Sequence, residues 1–158
     1  MTTITLVTIE GISIETKIEY DGQKYEIIEK TIDPTDLASV KQKKTDTNIN
    51  IHRVNGYFKV KDRTTGKKTK KFDTPLVFKI KFTDDQWKEA VGNDTQKKYD
   101  RPRVAYLVWK KKNKKWADKW VEFKKKKMKV TYPGTNNDPD GYLEITVSKL
   151  KDPLIGGC

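Results

Sequence analysis

The C-terminal stretch from Gly141 to Cys158, GYLEITVSKLKDPLIGGC, decides how the rest of this sequence is interpreted. Its first part, Tyr142 to Leu150, starts as an alternation of apolar and polar residues and is rich in residues that favour strands, so it predicts a β-strand. Asp152-Pro153 predicts the end of that strand, because proline has no amide hydrogen for a ladder. Gly156 and Gly157 have no side chains to pack, and they predict a flexible tail.

A last strand that runs into a Gly-Gly end resembles the C-terminus of ubiquitin-like modifiers and of their sulfur-carrier relatives. The resemblance implies that a processing protease removes Cys158. The carboxylate of Gly157 would then be adenylated, passed to a cysteine of an activating enzyme and joined to an amine of a protein target. Gly156 and Gly157 would be the functional residues, since a side chain on either would obstruct the adenylating site. The alternative is a Gly-Gly-Cys end without function, because the motif is only three residues long.

Length and composition set limits on the fold. The chain has 158 residues, which suits one domain of ordinary size or two small ones. Hydrophobic residues make up 34% and charged residues 35%, so we expect a modest core in which aromatic side chains supply much of the volume. No stretch approaches the roughly 20 apolar residues of a membrane span, and the N-terminus does not resemble a signal peptide. With one cysteine, no internal disulfide is expected, and we predict a cytoplasmic protein without membrane association, or alternatively an exported protein given without its leader.

Short β-prone segments separated by turn signals run along the chain. Asp21-Gly22 and Asn55-Gly56 are strong two-residue hairpin signals. A first helix is predicted near Pro34–Lys43, with Asp33 or Thr35 as its cap and a proline at its first position. A second helix is predicted over Asp84–Val91, after a capping box. The sequence therefore predicts a mainly β fold with two short helices.

A predicted hairpin followed by a short capped helix occurs twice, and this order resembles the start of a β-grasp domain. The segment Gly22–Lys43 is similar to the passage from the second strand to the helix of ubiquitin. Tandem β-grasp-like units over residues 1–55 and 56–151, with a flexible tail at 152–158, resemble the two-domain modifiers of animals and of bacterial antiphage conjugation operons. That family implies a role in antiviral defence. The sequence departs from it in a short first unit, in extra strands of the second, and in lacking an Arg or Leu-Arg pair before the glycines.

A single β-sandwich is the competing fold. About ten short strands, separated by turn signals at intervals of roughly 8–15 residues, are typical of one. The segment Phe72–Leu150 resembles a ZU5-like sandwich, with a Phe-x-x-Pro strand start at Phe72–Pro75 and a tryptophan-containing hairpin from Val108-Trp109 to Trp120–Phe123. This resemblance implies a protein-binding or structural assembly module that is not an enzyme.

We expect no catalysis, no cofactor and no metal. His52 is the one histidine, and on an alternating strand such a residue is far more often a packing or surface residue than a base. Cys158 has no base or orienting partner near it in sequence. Asn136–Gly141 partly matches a calcium loop, but Val147 stands where a bidentate glutamate is needed and no helices flank the loop. A turn rich in Asn, Asp, Pro and Gly is the ordinary interpretation.

The net charge of +12 raises the question of a nucleic-acid partner. Three lysine runs, Lys67–Lys71, Lys110–Lys115 and Lys124–Lys129, lie near aromatic residues, and such patches can bind single strands by charge and stacking. Only four of the 34 basic residues are arginine, however, and 22 acidic residues are interspersed. Lysines at strand edges also prevent sheet aggregation. The sequence thus argues against nucleic acid and leaves a basic nucleic-acid-binding module as a third hypothesis. In a modifier, the docking surface would be Lys124, Lys125, Lys126 and Lys127.

Overall fold

The computed structural model describes residues 1–6, 15–43, 51, 53–85, 103–151 and 153–157. Over these residues the chain forms eleven strands and one α-helix, which confirms the mainly β prediction. The elements are β1 (Thr2–Thr5), β2 (Thr16–Tyr20), β3 (Tyr25–Lys30), α1 (Pro34–Gln42), β4 (Arg53–Asp62), β5 (Lys71–Thr83), β6 (Val104–Lys110), β7 (Lys115–Trp116), β8 (Val121–Glu122), β9 (Met128–Thr131), β10 (Asp140–Lys149) and β11 (Pro153–Gly157).

The described strands form two antiparallel sheets that face each other. The first sheet has the order β1-β2-β5-β10-β9, and the second has the order β3-β4-β11-β6-β7, with β8 paired to β6 as well. In β5 the alternation Leu76, Phe78, Ile80 and Phe82 is buried, as the sequence predicts. The ring of Phe78 lies 5.7 Å from that of Phe58 on β4, so side chains of both sheets share one core. This arrangement agrees with the single-sandwich alternative.

Helix α1 covers the other face of the second sheet. Asp33 caps it by accepting hydrogen bonds from the backbone N–H of Thr35 and from its hydroxyl group, both at 2.9 Å. Val40 is buried in a second cluster with Leu107 and Leu154 of the sheet. The prediction of this first helix and of its cap is confirmed. Of the predicted second helix, residues 84–85 are helical, and residues 86–91 lie outside the described part of the chain.

The two predicted hairpins are not hairpins. Asp21-Gly22 does form a turn, in which the Asp21 carbonyl oxygen accepts from the Tyr25 N–H at 2.9 Å, but β2 and β3 on either side of it belong to different sheets. Asn55-Gly56 lies inside β4, where the register with β11 shifts. A Cβ on Gly56 would lie only 2.9 Å from Leu6 Cδ1, so glycine is needed here for close approach and not for a turn.

The predicted boundary between the two units, after residue 55, therefore falls within a strand. Strands from both sides of it pair with each other, since β2 pairs with β5 and β3 pairs with β4. Both sheets contain strands from residues 1–55 and from residues 56–151, and the core between the sheets is common to them. The local turn signals did not reveal this pairing, because a strand's alternation fixes its buried face but not its neighbour.

The residues predicted as a flexible Gly-Gly tail form a strand in the middle of the second sheet. Strand β11 pairs antiparallel with β4 on one side and with β6 on the other. Leu154 and Ile155 are 0% and 1% exposed and belong to the two clusters on opposite faces of the sheet. Pro153 begins this strand, a position at which the missing amide hydrogen is tolerated. The structure thus differs from the prediction for residues 153–157, while Asp152 and Cys158 lie outside the described residues.

Candidate functional site

A basic cleft of about 580 Å³ lies at one end of the sandwich. Three segments line it: the connection between β4 and β5, the end of β6 with the turn after it, and the connection between β10 and β11. Among the described lining residues are six lysines and no acidic residue. The lysines are Lys68, Lys70, Lys110, Lys111, Lys112 and Lys151, and the cleft also contains Thr69, Val108, Trp109 and Asn113.

Backbone hydrogen bonds hold the three segments of the basic cleft in place. The Leu150 N–H donates to the Lys70 carbonyl oxygen at 2.7 Å, which joins the first segment to the third. The Thr69 N–H donates to Val60 at 2.9 Å, and the Ala117 N–H donates to Val108 at 2.8 Å. These bonds set the first segment beside the third and tie the first segment to β4 and the second to the residue after β7, so the backbone at these points is ordered before a ligand binds.

Trp109 is the aromatic residue among the lining residues of the basic cleft. It is half-buried, and its ring meets that of Trp116, its cross-strand partner on β7, edge to face at 5.3 Å. The Trp116 ring in turn lies 4.9 Å from that of Tyr57 on β4. These contacts pack the indole of Trp109 against the second cluster, and the residue also lines the cleft.

Acidic residues are paired with lysines on a different surface, the outer face of the first sheet. Lys79 Nζ lies 2.9 Å from Glu19 Oε1, and Lys81 Nζ lies 3.2 Å from Asp140 Oδ2. The hydrogen bond to Glu19 raises the pKa of Lys79, and the one to Asp140 raises the pKa of Lys81. Lysine and carboxylate charges alternate on this outer face, whereas the charged residues among the described lining of the basic cleft are all lysines.

The predicted docking lysines lie apart from the basic cleft. Lys125–Lys127 form a short 3₁₀ turn before β9. Lys124 and Lys127 are exposed and line a smaller cavity of about 150 Å³, together with Glu122 of β8 and residues of β10. No residue lines both cavities among those that the structure describes. The third lysine run is thus a separate surface with an acidic neighbour.

The predicted conjugation residues are engaged in the sheet. Gly156 is buried, and it pairs with Val54 of β4 and with Ala105 of β6. The backbone of Gly157 pairs with Arg53 of β4 and with Val104 of β6. The predicted processing residue Cys158, like His52, lies outside the described residues.

The loop that partly matches a calcium site uses its carboxylates locally. Asp138 accepts from the Asp140 N–H at 3.0 Å and from the Tyr142 hydroxyl group at 3.1 Å, and the second bond raises the pKa of Tyr142. Asp140 is paired with Lys81. Within the described ranges, no group of three or more His, Cys, Asp or Glu residues is placed to hold a metal ion. These local hydrogen bonds are typical of a turn rich in Asn and Asp.

Comparison with protein-family models, with curated proteins and with solved structures finds no match to this chain. The resemblances to ubiquitin-like modifiers and to ZU5-like sandwiches therefore rest on sequence features alone. No helix in the part of the chain that the structure describes is both long and apolar enough to cross a bilayer.

Proposed function

We propose that this protein is a non-catalytic β-sandwich module that binds an anionic partner in the basic cleft. One observation carries the proposal: six lysines, supplied by three separate segments of the chain, line a single cleft that has no acidic residue among its described lining residues. A cleft lined by one sign of charge focuses the electrostatic field and concentrates ligands of opposite charge.

The spacing of these lysines favours a ligand with several negative charges. Charges interact strongly within a Debye length, about 8 Å at physiological ionic strength. Lys110, Lys111 and Lys112 are consecutive, and Lys68 and Lys70 flank one residue on the neighbouring segment. A ligand with several negative charges can engage more than one of these lysines at once. The proposal is compatible with the ZU5-like alternative, a sandwich whose role is binding or assembly.

The ubiquitin-like modifier stays a hypothesis, and it now carries a requirement. Conjugation through Gly157 needs β11 to leave the sheet, which exposes Leu154 and Ile155. Exposing each of these side chains costs about 1.5–3 kcal/mol, before the backbone hydrogen bonds are counted. The sum is a large part of the roughly 5–15 kcal/mol that stabilises a typical domain. We therefore favour binding in the cleft over conjugation through the glycines.

The proposal is tested by titrating the full chain with fluorescently labelled inorganic polyphosphate at several salt concentrations. We expect binding that weakens steeply as salt rises, because counterions are released. A Lys70→Glu, Lys112→Glu variant should bind about tenfold more weakly or worse. The matched control, Lys126→Glu with Lys129→Glu, changes the net charge equally at exposed positions outside the cleft. Equal losses in both variants, or no binding by the wild type at low salt, would overturn the proposal.

A further inference from the structure

We infer that the anionic ligand of the basic cleft is a single strand of nucleic acid, with one base stacked on Trp109. This inference rests on the proposed anion binding and goes beyond it, since it names the ligand. Lysines alone can bind any polyanion. A cleft that also contains an aromatic ring favours a polyanion whose charges alternate with flat, apolar groups. In nucleic acids, phosphates and bases alternate in this way.

Trp109 lines the cleft beside the lysines and is only partly buried, packed against the second cluster. The residue lies at the end of β6, and Lys110, Lys111 and Lys112 follow it directly into the cleft. Because Trp116 contacts it edge to face at 5.3 Å and 74°, the indole plane is held without a ligand. Trp116 is itself 8% exposed and packs on Tyr57, so the array is anchored in the second cluster. A base that stacks on a fixed ring loses little affinity to the ordering of protein side chains.

The form of the nucleic acid follows from the same geometry. In a duplex the bases are already stacked on each other, so their faces do not reach a side chain in a cleft. A single strand offers both its faces and its phosphates. The cleft, at about 580 Å³, lies within the range of roughly 300–1,000 Å³ that is usual for ligand pockets and has room for a nucleotide unit. Lysines contact phosphates as point charges and do not make the bidentate contacts that arginine makes with guanine, so we expect little sequence preference.

The positions of three acidic residues bear on one objection from the sequence, that acidic residues are interspersed with the lysines. The structure places Glu19 and Asp140 on the outer face of the first sheet, where each is paired with a lysine. Glu122, near the third lysine run, is held by Arg103 through two hydrogen bonds of 2.8 and 2.9 Å. These acids lie outside the lining of the basic cleft.

The test compares two labelled strands of equal length and equal phosphate number, one of oligothymidylate and one without bases. Fluorescence anisotropy with the full chain should show about tenfold tighter binding of oligothymidylate, the ratio expected for one stacked base. Trp109→Ala should abolish that preference, so that the variant binds the two strands equally. Trp109→Phe should retain much of it. Binding of oligothymidylate should also quench the tryptophan fluorescence of the wild type more than that of Trp109→Phe.

The outcomes separate this inference from the proposed function. Equal binding of both strands, with no effect of Trp109→Ala, overturns stacking but leaves anion binding intact, and the ligand is then an acidic protein segment or another polyanion. Equal or tighter binding of a duplex of the same sequence also overturns the inference. Failure to bind any of the probes, polyphosphate included, overturns both. Thermal unfolding of each variant shows whether it is folded. If Trp109→Ala does not fold, the comparison of fluorescence quenching between the wild type and Trp109→Phe provides the test.

Discussion

At the scale of single residues, Trp120 links helix α1 to the segment that follows β7. Its indole N–H donates to the carbonyl oxygen of Val40 at 2.6 Å, and its side chain is 0% exposed. The acceptor is near the end of the helix, and it also accepts from the Lys43 N–H at 3.3 Å. This one side chain therefore both fills the second cluster and adds a second donor to the Val40 carbonyl group.

Two substitutions of Trp120 should destabilise the protein to different extents. Trp120→Phe removes one of two donors to the Val40 carbonyl and should lower the free energy of unfolding by about 0.5–1.5 kcal/mol. Trp120→Ala adds a cavity and should cost about 3–5 kcal/mol. Urea unfolding measures both, with Val121→Ala as the control, since that neighbour is 44% exposed and should change stability by less than about 0.5 kcal/mol. Similar midpoints for Trp120→Ala and the control would contradict the buried placement.

Asp33 makes the stability of helix α1 depend on pH. The Thr35 backbone N–H, and then the Thr35 hydroxyl group, donate to its carboxylate and lower its pKa. A lowered pKa in the folded state means that the stabilisation is fully present above the ordinary aspartate range near 4. It is lost as the pH falls through the lower, folded value.

Asp33→Asn isolates this effect, because asparagine caps a helix without a charge. We expect the melting temperature of the wild type to exceed that of the variant near neutral pH. The difference should shrink as the pH is lowered from about 5 to about 2, because only the wild type loses a charged cap. Circular dichroism melts of both proteins across this range provide the measurement. A difference that is constant or that grows on acidification would show that the cap is not ionised.

At the scale of elements, strand β11 is the part of the fold whose role differs most from expectation. It has a paired neighbour on each side, and its two apolar side chains enter different clusters. We therefore expect Leu154→Ala and Ile155→Ala each to cost about 2–5 kcal/mol in denaturant unfolding. Ile4→Ala, in the edge strand β1 and only partly buried, should cost less. A negligible effect of both β11 substitutions would mean that the strand is dispensable and would favour the modifier hypothesis.

Some elements could be predicted from the sequence because local rules determine them. The alternation in β5 and the cap at Asp33 depend on residues close in the chain, and both predictions are confirmed. The sequence predicts the end of a strand at Asp152-Pro153, whereas Pro153 begins β11. Gly156 and Gly157, which have no side chains to pack, are ordered there by backbone pairing. Hydrophobic periodicity carries no information about such pairing.

The candidate site illustrates the same limit. Trp109 and the lysine runs at Lys67–Lys71 and Lys110–Lys115 are visible in the sequence, and the third hypothesis used them. Their meeting in one cleft depends on long-range contacts: Leu150 bonds to Lys70, and β11 pairs with β6. Lys151 had no signal of its own in the sequence, since it joins the cleft only through the connection that enters β11.

At the scale of the whole molecule, the charge of +12 is unevenly distributed. The outer face of the first sheet carries paired charges, such as Lys79 with Glu19, and one end of the sandwich carries the basic cleft. Such a distribution orients the molecule as an anion approaches, and it speeds association at low ionic strength. A net charge spread evenly over the surface would favour solubility but would not orient the molecule toward an anion.

The central position of β11 also has a consequence for synthesis on the ribosome. Among the described strands β11 is made last, yet β4 and β6 pair with it and not with each other. Gly156 meets Val54, roughly 100 residues earlier in the chain. The second sheet therefore stays divided, with the pairing edges of two strands open, until translation has passed Gly157. Loop closure over such a separation is slow, so the second sheet is completed only after β11 has emerged and this loop has closed.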